Sequence, residues 1–337
     1  MAEIMQRDKT LDGLKFLLIV LVIVGHAIEP TRYSNVISGG LYSIIYSFHM
    51  PLFVLLSGYF SKSIDLHKIN RQARALIETY LIMALFIGFT MGYGFQIVLS
   101  PSLSCWYLLS LIFWRYLLYL CVDIFRMKKT VIIGFSILVS VAFFFLPIDR
   151  YYGVLSIMRT SQFFVFFAIG YSINDELIFK LRNSSSIKFC LRVIAIILFI
   201  IIAKFSSRGI HLIEFHRETL SGLMLNVDWS IVECILYNCA MVLANIIICA
   251  SFLSIKKLPR VFSKLGVYSL LFFFLQGILV HKTTLMLPNS LLMEVFLSII
   301  VILLGIVLIP IQKWLTNPVT SLIIYYKNDK QNTPSIS

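Results

Sequence analysis

Apolar runs of about the length that crosses a bilayer alternate with short polar segments along most of the chain. A transmembrane α-helix needs about 20 apolar residues, because each residue adds about 1.5 Å to its length. The runs that meet this requirement cover residues 11–29, 41–60, 76–99, 105–122, 130–147, 158–174, 188–206, 229–253, 265–286 and 291–316. The pattern predicts an all-α, polytopic integral membrane protein with about ten transmembrane helices.

Composition supports this prediction and excludes a soluble domain. Apolar residues make up 59% of the 337 residues and charged residues only 13%, whereas soluble domains carry about 25% charged residues. We expect one transmembrane domain over residues 1–326 and a polar tail over residues 327–337 that is predicted to be disordered. The longest outer segment, residues 207–228, mixes acidic, basic and histidine side chains and is expected to cover an outward-facing pocket.

Basic side chains predict the orientation of the helices. The net charge is +13, and Lys and Arg concentrate in alternate loops, namely residues 61–75, 123–129, 175–187 and 254–264. Loops rich in Lys and Arg stay in the cytoplasm, so both termini are predicted to be cytoplasmic. Because these cations lie in short loops between apolar runs, we interpret them as topology signals and contacts with anionic lipid, and we expect no nucleic acid partner.

The cysteines do not predict a metal or disulfide site. No C-x-x-C spacing occurs, and all six lie in or beside apolar runs, at Cys105, Cys121, Cys190, Cys234, Cys239 and Cys249. Cysteines in such places are ordinarily small buried core residues. We therefore expect neither a disulfide framework nor a bound metal.

Ionisable residues of the first predicted helix share one face. Lys15 and His26 are eleven residues apart, which is about three turns and about 16 Å along the axis. Asp12 and Glu29 fall close to the same stripe. Ionisable residues inside spans are functional candidates because they cost free energy there. The alternatives are a snorkelling anchor for Lys15 and an interfacial histidine satisfied by Glu29 for His26, but their joint placement favours function.

A second histidine, His49, lies in the next span, about 12 Å inside its outer boundary. Pro51 follows it and is expected to loosen the helix around residue 47, which frees a carbonyl group there. His49 is then either a structural histidine bonded to that carbonyl or a catalytic one, and the sequence leaves both interpretations open.

Arg71 and Arg74 precede the third predicted span and share a helical face. They suit an anion clamp at the cytoplasmic surface, because a guanidinium group binds phosphate through two parallel hydrogen bonds. The alternative, which the spacing alone slightly favours, is a positive-inside anchor in which Arg74 pairs with Glu78.

Arg159 and Gln162 begin the sixth predicted span. Arg159 lies at an outer boundary, where the topology rule requires no cation, so it is a candidate substrate ligand. Trp106 begins the fourth span, where it is expected either to belong to the aromatic belt of the membrane interface or to stack on a sugar.

At these positions the chain resembles the acyltransferase 3 family of membrane acyltransferases, and within it the fucose 4-O-acetylase-like group. The resemblance covers about residues 8–316. Its more specific motifs are Asp12-Gly13-Leu14-Lys15 through Gly25-His26, and Phe48-His49-Met50-Pro51-Leu52-Phe53 with Ser57-Gly58-Tyr59. Weaker matches are Arg71 with Arg74, Cys105-Trp106-Tyr107-Leu108, Gln162-Phe163-Phe164 with Phe167 and Gly170-Tyr171, and Leu265-Gly266 with Ser269-Leu270. Many members have Arg at the position of Lys15 and a histidine at the position of Gln276.

The resemblance implies acyl transfer, with acetyl expected, from cytoplasmic acyl-CoA to a hydroxyl of a cell-surface glycan or its lipid-linked precursor. It places the protein in the bacterial cytoplasmic (inner) membrane, with acetyl-CoA as co-substrate and no permanently bound cofactor. The expected site residues are His26, His49 and Glu29 for catalysis, Lys15, Arg71 and Arg74 for the donor, and Arg159, Gln162 and Trp106 for the acceptor.

A transporter or flippase of lipid-linked sugars is the competing interpretation. Ion-coupled carriers usually place acidic residues near the middle of the membrane and often contain internal repeats. Here the acidic residues of the spans lie near span ends, and no repeat is visible in the sequence. A third interpretation, a non-catalytic membrane scaffold, would leave the positions of His26 and His49 unexplained.

Overall fold

The computed structural model describes residues 8–92, 94–101, 105–144, 154–206, 231–284, 290 and 292–310. Within these ranges every regular element is helical, as the apolar pattern predicts. The predicted tail over residues 327–337 and the predicted outer loop over residues 207–228 lie outside the described residues.

The described part of the chain is a succession of helices. In chain order they are α1 (Lys9–Ala27), α2 (Val36–Tyr59), α3 (Leu66–Met91), α4 (Gln96–Leu99), α5 (Cys105–Tyr119), α6 (Lys129–Phe144), α7 (Ile157–Ser172), α8 (Asp175–Asn183), α9 (Ser185–Ser206), α10 (Ile231–Leu253), α11 (Arg260–Leu265), α12 (Ser269–Thr284) and α13 (Leu292–Pro310). A π-helical turn, Leu120–Ile124, extends α5, and 3₁₀ turns occupy Glu29–Thr31, Val154–Ser156 and Gly266–Tyr268.

Short polar side chains cap the beginnings of several helices. Asp8 Oδ1 accepts hydrogen bonds from two backbone N–H groups of α1, at 2.8 and 3.2 Å. Asn35, Asp65 and Asn174 cap α2, α3 and α8 in the same way. Each cap satisfies N–H groups that the first turn of a helix leaves without an intrahelical partner, and so fixes where the helix begins.

Eight of the described helices are long and apolar enough to cross a bilayer. They correspond to eight of the predicted spans. The two other predicted spans correspond to α6 and α12, which are shorter, at 16 residues each. The count of ten spans and the cytoplasmic placement of both termini therefore stay predictions.

The predicted boundaries of the third span are wrong. The hydropathy pattern predicts a loop over residues 61–75 and a span over residues 76–99, but α3 begins at Leu66 and ends at Met91. The first turns of α3 are polar and basic, so they give no hydropathy signal although they are helical. Arg71 and Arg74 consequently lie on a rigid helix instead of in a loop.

Two glycines allow α2 to lie directly against α7. Among the elements that pack against α2 are α1, α7, α9 and α10. A Cβ atom at Gly58 would overlap the carbonyl of Phe167, and a Cβ atom at Gly170 would overlap the carbonyl of Leu55. Glycine is therefore required on both sides of this crossing, and the two backbones approach as closely as small-residue contacts between membrane helices permit.

Neighbouring helices pack around α1, while large apolar side chains cover the outside of the bundle. α1 packs against α2, α11 and α12. Outward-facing side chains include Ile196, Leu236 and Leu303, which are 57%, 63% and 56% exposed. Such exposure is costly in water and neutral in lipid, which indicates that this surface contacts a bilayer.

Candidate active site

The C-terminal end of α1 carries a group of hydrogen-bonded side chains that we call the histidine cluster: His26, Glu29, Arg32, Tyr42 and Tyr46. His26 Nδ1 lies 3.3 Å from Glu29 Oε2 and 2.9 Å from Tyr46 Oη. Arg32 Nη1 donates a hydrogen bond to Glu29 Oε1 at 2.9 Å. The contact between His26 and Glu29 that their spacing predicts is present, whereas Arg32 and the two tyrosines were not predicted.

Tyr46 joins the cluster from α2. Its ring stacks on Tyr42 with 3.9 Å between centroids, and Arg32 Nη1 donates to Tyr42 Oη at 2.7 Å. Gly25 makes room for Tyr46, because a Cβ atom there would lie 3.0 Å from the ring. Tyr42, Tyr46 and His49 follow one another at i, i+4 and i+7, so they share the helical face that meets α1. This spacing is the signal in the sequence that would have found both tyrosines.

Arg32 fixes the position of Glu29. Burial alone would lower the pKa of Arg32, but the phenol of Tyr42, the carboxylate of Glu29 and the phenol of Tyr33 raise that pKa overall. The guanidinium group is therefore a permanent cation. It holds one oxygen of Glu29, and the other oxygen is directed at His26.

His26 Nδ1 faces the Glu29 carboxylate, which can only accept a hydrogen bond, and the Tyr46 hydroxyl, which can accept or donate one. The carboxylate favours the tautomer with its proton on Nδ1, because the other tautomer would place the Nδ1 lone pair against the lone pairs of Glu29. In the favoured tautomer the basic lone pair is on Nε2. Because the His26 side chain is 15% exposed, the arrangement suits a general base that a substrate hydroxyl can approach.

His49 lies beside the same tyrosine but is enclosed. The Tyr46 ring centroid is 5.8 Å from that of His26 and 4.8 Å from that of His49. His49 is 3% exposed, and its Nδ1 donates to the backbone carbonyl of Ile45 at 2.7 Å. The predicted acceptor, residue 47, is wrong, because the ring bonds one turn back to Ile45 within an α2 that continues through Pro51.

Lys15, at the other end of α1, pairs with its own helix. Lys15 Nζ lies 3.1 Å from Asp12 Oδ1 and 3.7 Å from the centroid of the Phe60 ring. Asp12 is 3% exposed. A Cβ atom at Gly266 would overlap the carbonyl of Asp12, so the 3₁₀ turn before α12 packs closely on this end of α1. The ammonium group is thus fixed by a carboxylate and an aromatic face.

Arg71 and Arg74 are both exposed on the first turns of α3. Within the described part of the chain, the predicted alternative of an ion pair between Arg74 and Glu78 is not formed. Tyr116 Oη donates to Asn70 Oδ1 at 2.8 Å, which ties this turn of α3 to α5. The two guanidinium groups therefore project from an anchored helix toward solvent.

Arg159 and Trp106, which come from separate predicted spans, lie against each other. The Arg159 guanidinium is 5.6 Å from the centroid of the Trp106 ring, and that ring stacks on Phe163 at 5.4 Å. Trp106 is 8% exposed, so it belongs to the interior and not to an aromatic belt. Gln162 lines an apolar cavity of about 340 Å³ between α6, α7 and α10, and Phe163 lines the same cavity.

Residues of the matched motifs contact one another across the bundle. Ser57 Oγ and Tyr107 Oη lie 2.6 Å apart, which joins the second motif to the tryptophan motif. The Phe167–Gly170 turn packs on α2 around Gly58, and Gly266 packs on Asp12. The motifs therefore form one connected assembly around α1 and α2.

Comparisons with known proteins identify the family. The acyltransferase domain model of the acyltransferase 3 family matches residues 8–310. Short stretches are similar to nodulation protein NolL: 45% identical over 56 residues for Sinorhizobium fredii (strain NBRC 101917 / NGR234) and 42% over 65 residues for Mesorhizobium japonicum (strain LMG 29417 / CECT 9101 / MAFF 303099). These stretches cover 16% and 18% of this chain, and 15% and 17% of those proteins. No solved structure matches. Because the family model covers most of the chain, the protein belongs to the acyltransferase 3 family and is an integral membrane acyltransferase.

Proposed function

We propose that this chain is an O-acetyltransferase of the bacterial cytoplasmic membrane. It moves an acetyl group from cytoplasmic acetyl-CoA to a hydroxyl of a cell-surface glycan or its lipid-linked precursor. The observation that carries the proposal is the orientation of His26, whose Nδ1 faces Glu29 and Tyr46 at 3.3 and 2.9 Å. Membership of the acyltransferase 3 family supplies the reaction class.

In the proposed step, His26 Nε2 removes the proton of the acceptor hydroxyl while the hydroxyl oxygen attacks the thioester carbonyl of acetyl-CoA. A C–O ester bond forms, the C–S bond breaks, and the imidazolium returns its proton to the departing thiolate. Glu29 balances the positive charge that develops on the ring, and Arg32 holds Glu29 in place. Histidine suits this work because it accepts and returns protons near neutral pH.

We assign the donor to cations at the predicted cytoplasmic side. Arg71 and Arg74 are exposed on α3, where their planar guanidinium groups suit the phosphates of CoA. Lys15 lies near the N-terminal end of α1, which is predicted to be cytoplasmic, eleven residues before His26. The separation is about 16 Å along the helix, a distance that the extended arm of CoA is suited to bridge.

We assign the acceptor to the surface formed by Arg159, Trp106 and Gln162. Arg159 lies over the Trp106 ring at 5.6 Å, so a cation and an aromatic side chain occur together. A guanidinium group binds anionic groups on a glycan or its carrier, and the enclosed Trp106 ring supports the Arg159 side chain that would make this contact. Gln162 adds an amide at the wall of the neighbouring apolar cavity.

Acetyl transfer from labelled acetyl-CoA to glycan tests the proposal. Membranes that carry the protein should label glycan, and membranes with an empty vector should not. His26→Ala should leave at most a trace of activity, because a positioned general base contributes about 10²–10⁴ in rate. His49→Ala decides between the two histidines. Near-normal turnover of His26→Ala at wild-type protein levels would make the assignment of the base wrong and transfer it to His49.

The direction of transfer has a separate test. Sealed vesicles of known orientation present acetyl-CoA and acceptor either on opposite faces or on the same face of the membrane. We expect transfer with acetyl-CoA on the cytoplasmic face and acceptor on the other face. A requirement for both substrates on the cytoplasmic face would refute the direction and leave the reaction class intact.

A further inference from the structure

A buried carboxyl group on the last described helix bonds to the turn that carries Glu29. Glu294 Oε2 accepts a hydrogen bond from Thr31 Oγ1 at 2.8 Å, although the two residues are 263 positions apart in the chain. Both side chains are almost fully enclosed, with Glu294 4% and Thr31 3% exposed. An ionisable side chain that membrane helices enclose costs free energy, which makes Glu294 a functional candidate.

Hydrogen bonds of Thr31 hold together the connection between α1 and α2. Its hydroxyl and its backbone N–H both lie 3.3 Å from the carbonyl of Ile28. Its own carbonyl accepts from the N–H groups of Ser34 and Asn35, at 3.1 and 2.9 Å. Glu29 begins the 3₁₀ turn that Thr31 ends. A hydrogen bond that holds Thr31 in place therefore also fixes the backbone from which the Glu29 side chain reaches His26.

The carboxyl group of Glu294 is incompletely paired. Its Oε1 atom is buried and has no hydrogen-bond partner in the described part of the chain. Burial of a carboxyl oxygen without a hydrogen-bond partner costs free energy, so a well-packed apolar residue would stabilise this position better. A purely structural role therefore accounts poorly for this residue.

We propose that Glu294 is a positioning residue for the histidine cluster. By holding the Thr31 hydroxyl, it fixes the Glu29–Thr31 turn and so directs the Glu29 carboxylate at His26. The proposal deepens the proposed function, because it rests on the assignment of His26 as the base. It also makes α13 part of the active site without contact to either substrate.

Four single variants and one double variant of the purified protein test the link. Glu294→Ala and Thr31→Val should each lower kcat by about 10–100-fold, because small misplacements of a catalytic group have effects of that size. The KM for acetyl-CoA should stay within about twofold, since the donor site is remote. Glu294→Gln and Thr31→Ser keep the acceptor and the hydroxyl, so they should stay within about threefold of wild-type kcat. The double variant Glu294→Ala/Thr31→Val should lose no more than either single variant, because both remove one interaction.

Asn245→Ala is the matched control for loss of a buried polar side chain. Asn245 is 1% exposed, donates to the backbone carbonyl of Met241 within α10, and is not a member of the histidine cluster. The second readout needs no transfer activity: the rate at which diethyl pyrocarbonate modifies His26, measured by mass spectrometry. Glu294→Ala should raise this rate at least about threefold by loosening the ring, whereas Glu294→Gln and Asn245→Ala should leave it unchanged.

Each other outcome overturns the proposal. Wild-type kcat and wild-type His26 reactivity in Glu294→Ala would show that Glu294 positions nothing. Additive losses in the double variant would break the link through Thr31. Equal loss of kcat in Glu294→Ala and Asn245→Ala, with His26 reactivity unchanged, would reduce Glu294 to a structural role. If the wild-type protein transferred no acetyl group, the proposed function would fail, and the reactivity of His26 would still decide the role of Glu294.

Discussion

Replacing Glu29 with Gln tests whether a carboxylate, and not only a hydrogen-bond acceptor, prepares His26. The variant keeps the size of the side chain and one carbonyl oxygen, but it loses the negative charge and gains an NH₂ donor. A donor that faces Nδ1 favours the tautomer with its proton on Nε2, and that nitrogen then has no lone pair for a substrate proton. We therefore expect kcat to fall.

The loss of charge and the change of tautomer both contribute to the fall. At the 3.3 Å between His26 and Glu29, two unit charges attract each other by about 5 kcal/mol at an effective dielectric constant of about 20. The Glu29 side chain is 37% exposed and already paired with Arg32. Solvent and counter-charge reduce the attraction to about 1–2 kcal/mol, or roughly tenfold in rate. Loss of a positioned base adds up to about 10²–10⁴, so the total should reach about 10²-fold or more.

The assay is the initial rate of acetyl transfer with saturating acetyl-CoA and acceptor, on variants purified to equal amounts of folded protein. Glu78→Gln is the matched control, because Glu78 is an exposed glutamate on α3 outside the histidine cluster. It should keep the wild-type kcat. A Glu29→Gln enzyme that retained more than about half of the wild-type kcat would refute the reasoning about the tautomer.

Other perturbations report on the donor site, the α2–α7 crossing and an ion pair at the end of α2. Arg71→Ala should raise the KM for acetyl-CoA more than it lowers kcat in a donor titration, and Arg71→Lys should restore little if the phosphate contact is bidentate. Gly170→Ala should lower the free energy of unfolding by about 1–3 kcal/mol or more in detergent melts, because its Cβ atom meets backbone. Hydrogen bonds from Tyr59 and then Lys62 lower the pKa of Asp175. The stability that Asp175 adds is therefore full above its ordinary pKa of about 3.9 and is lost as pH falls through the lowered pKa. Melts from neutral to acidic pH should show less acid loss in Asp175→Asn.

Controls for these variants follow from the structure. Gly134→Ala should melt like the wild type, because a Cβ atom at Gly134 meets open space. An unchanged melting temperature in Gly170→Ala would contradict the close approach of α2 and α7. A donor KM that Arg71→Ala left unchanged would remove that arginine from the donor site. Equal acid sensitivity of Asp175→Asn and wild type would show that the pair contributes no pH-dependent stability.

The sequence predicts the local part of the histidine cluster and misses the tertiary part. His26 and Glu29 lie three positions apart, so helical geometry alone brings them together. Arg32 lies three positions after Glu29, so this contact is also local, although it was not predicted. Tyr46 reaches the cluster because α1 and α2 meet at Gly25, and a single sequence does not contain that crossing. Glu294 is further removed, since its partner precedes it by 263 positions.

Apolar content predicts where the helices lie, whereas their exact boundaries depend on local chemistry such as capping. Run lengths in the sequence locate the helices well, but the start of α3 is misplaced because residues 66–75 are polar and still helical. The N-cap Asp65 marks the true start, and a capping criterion would have found it. Trp106 was assigned two exposed roles, whereas packing against Phe163 encloses it. Burial depends on neighbours from other helices, which hydropathy does not specify.

The bond between Thr31 and Glu294 also sets an order of events during synthesis. Its partners are 263 positions apart, and ribosomes add about 5–20 residues per second, so α1 waits roughly 15–50 s in the membrane before α13 follows. During that interval α13 provides no hydrogen bond to the Glu29–Thr31 turn. A nascent or truncated chain that ends before α13 therefore lacks the Thr31–Glu294 bond, and we expect its transfer rate to lie about 10–100-fold below that of the full chain, as in Glu294→Ala.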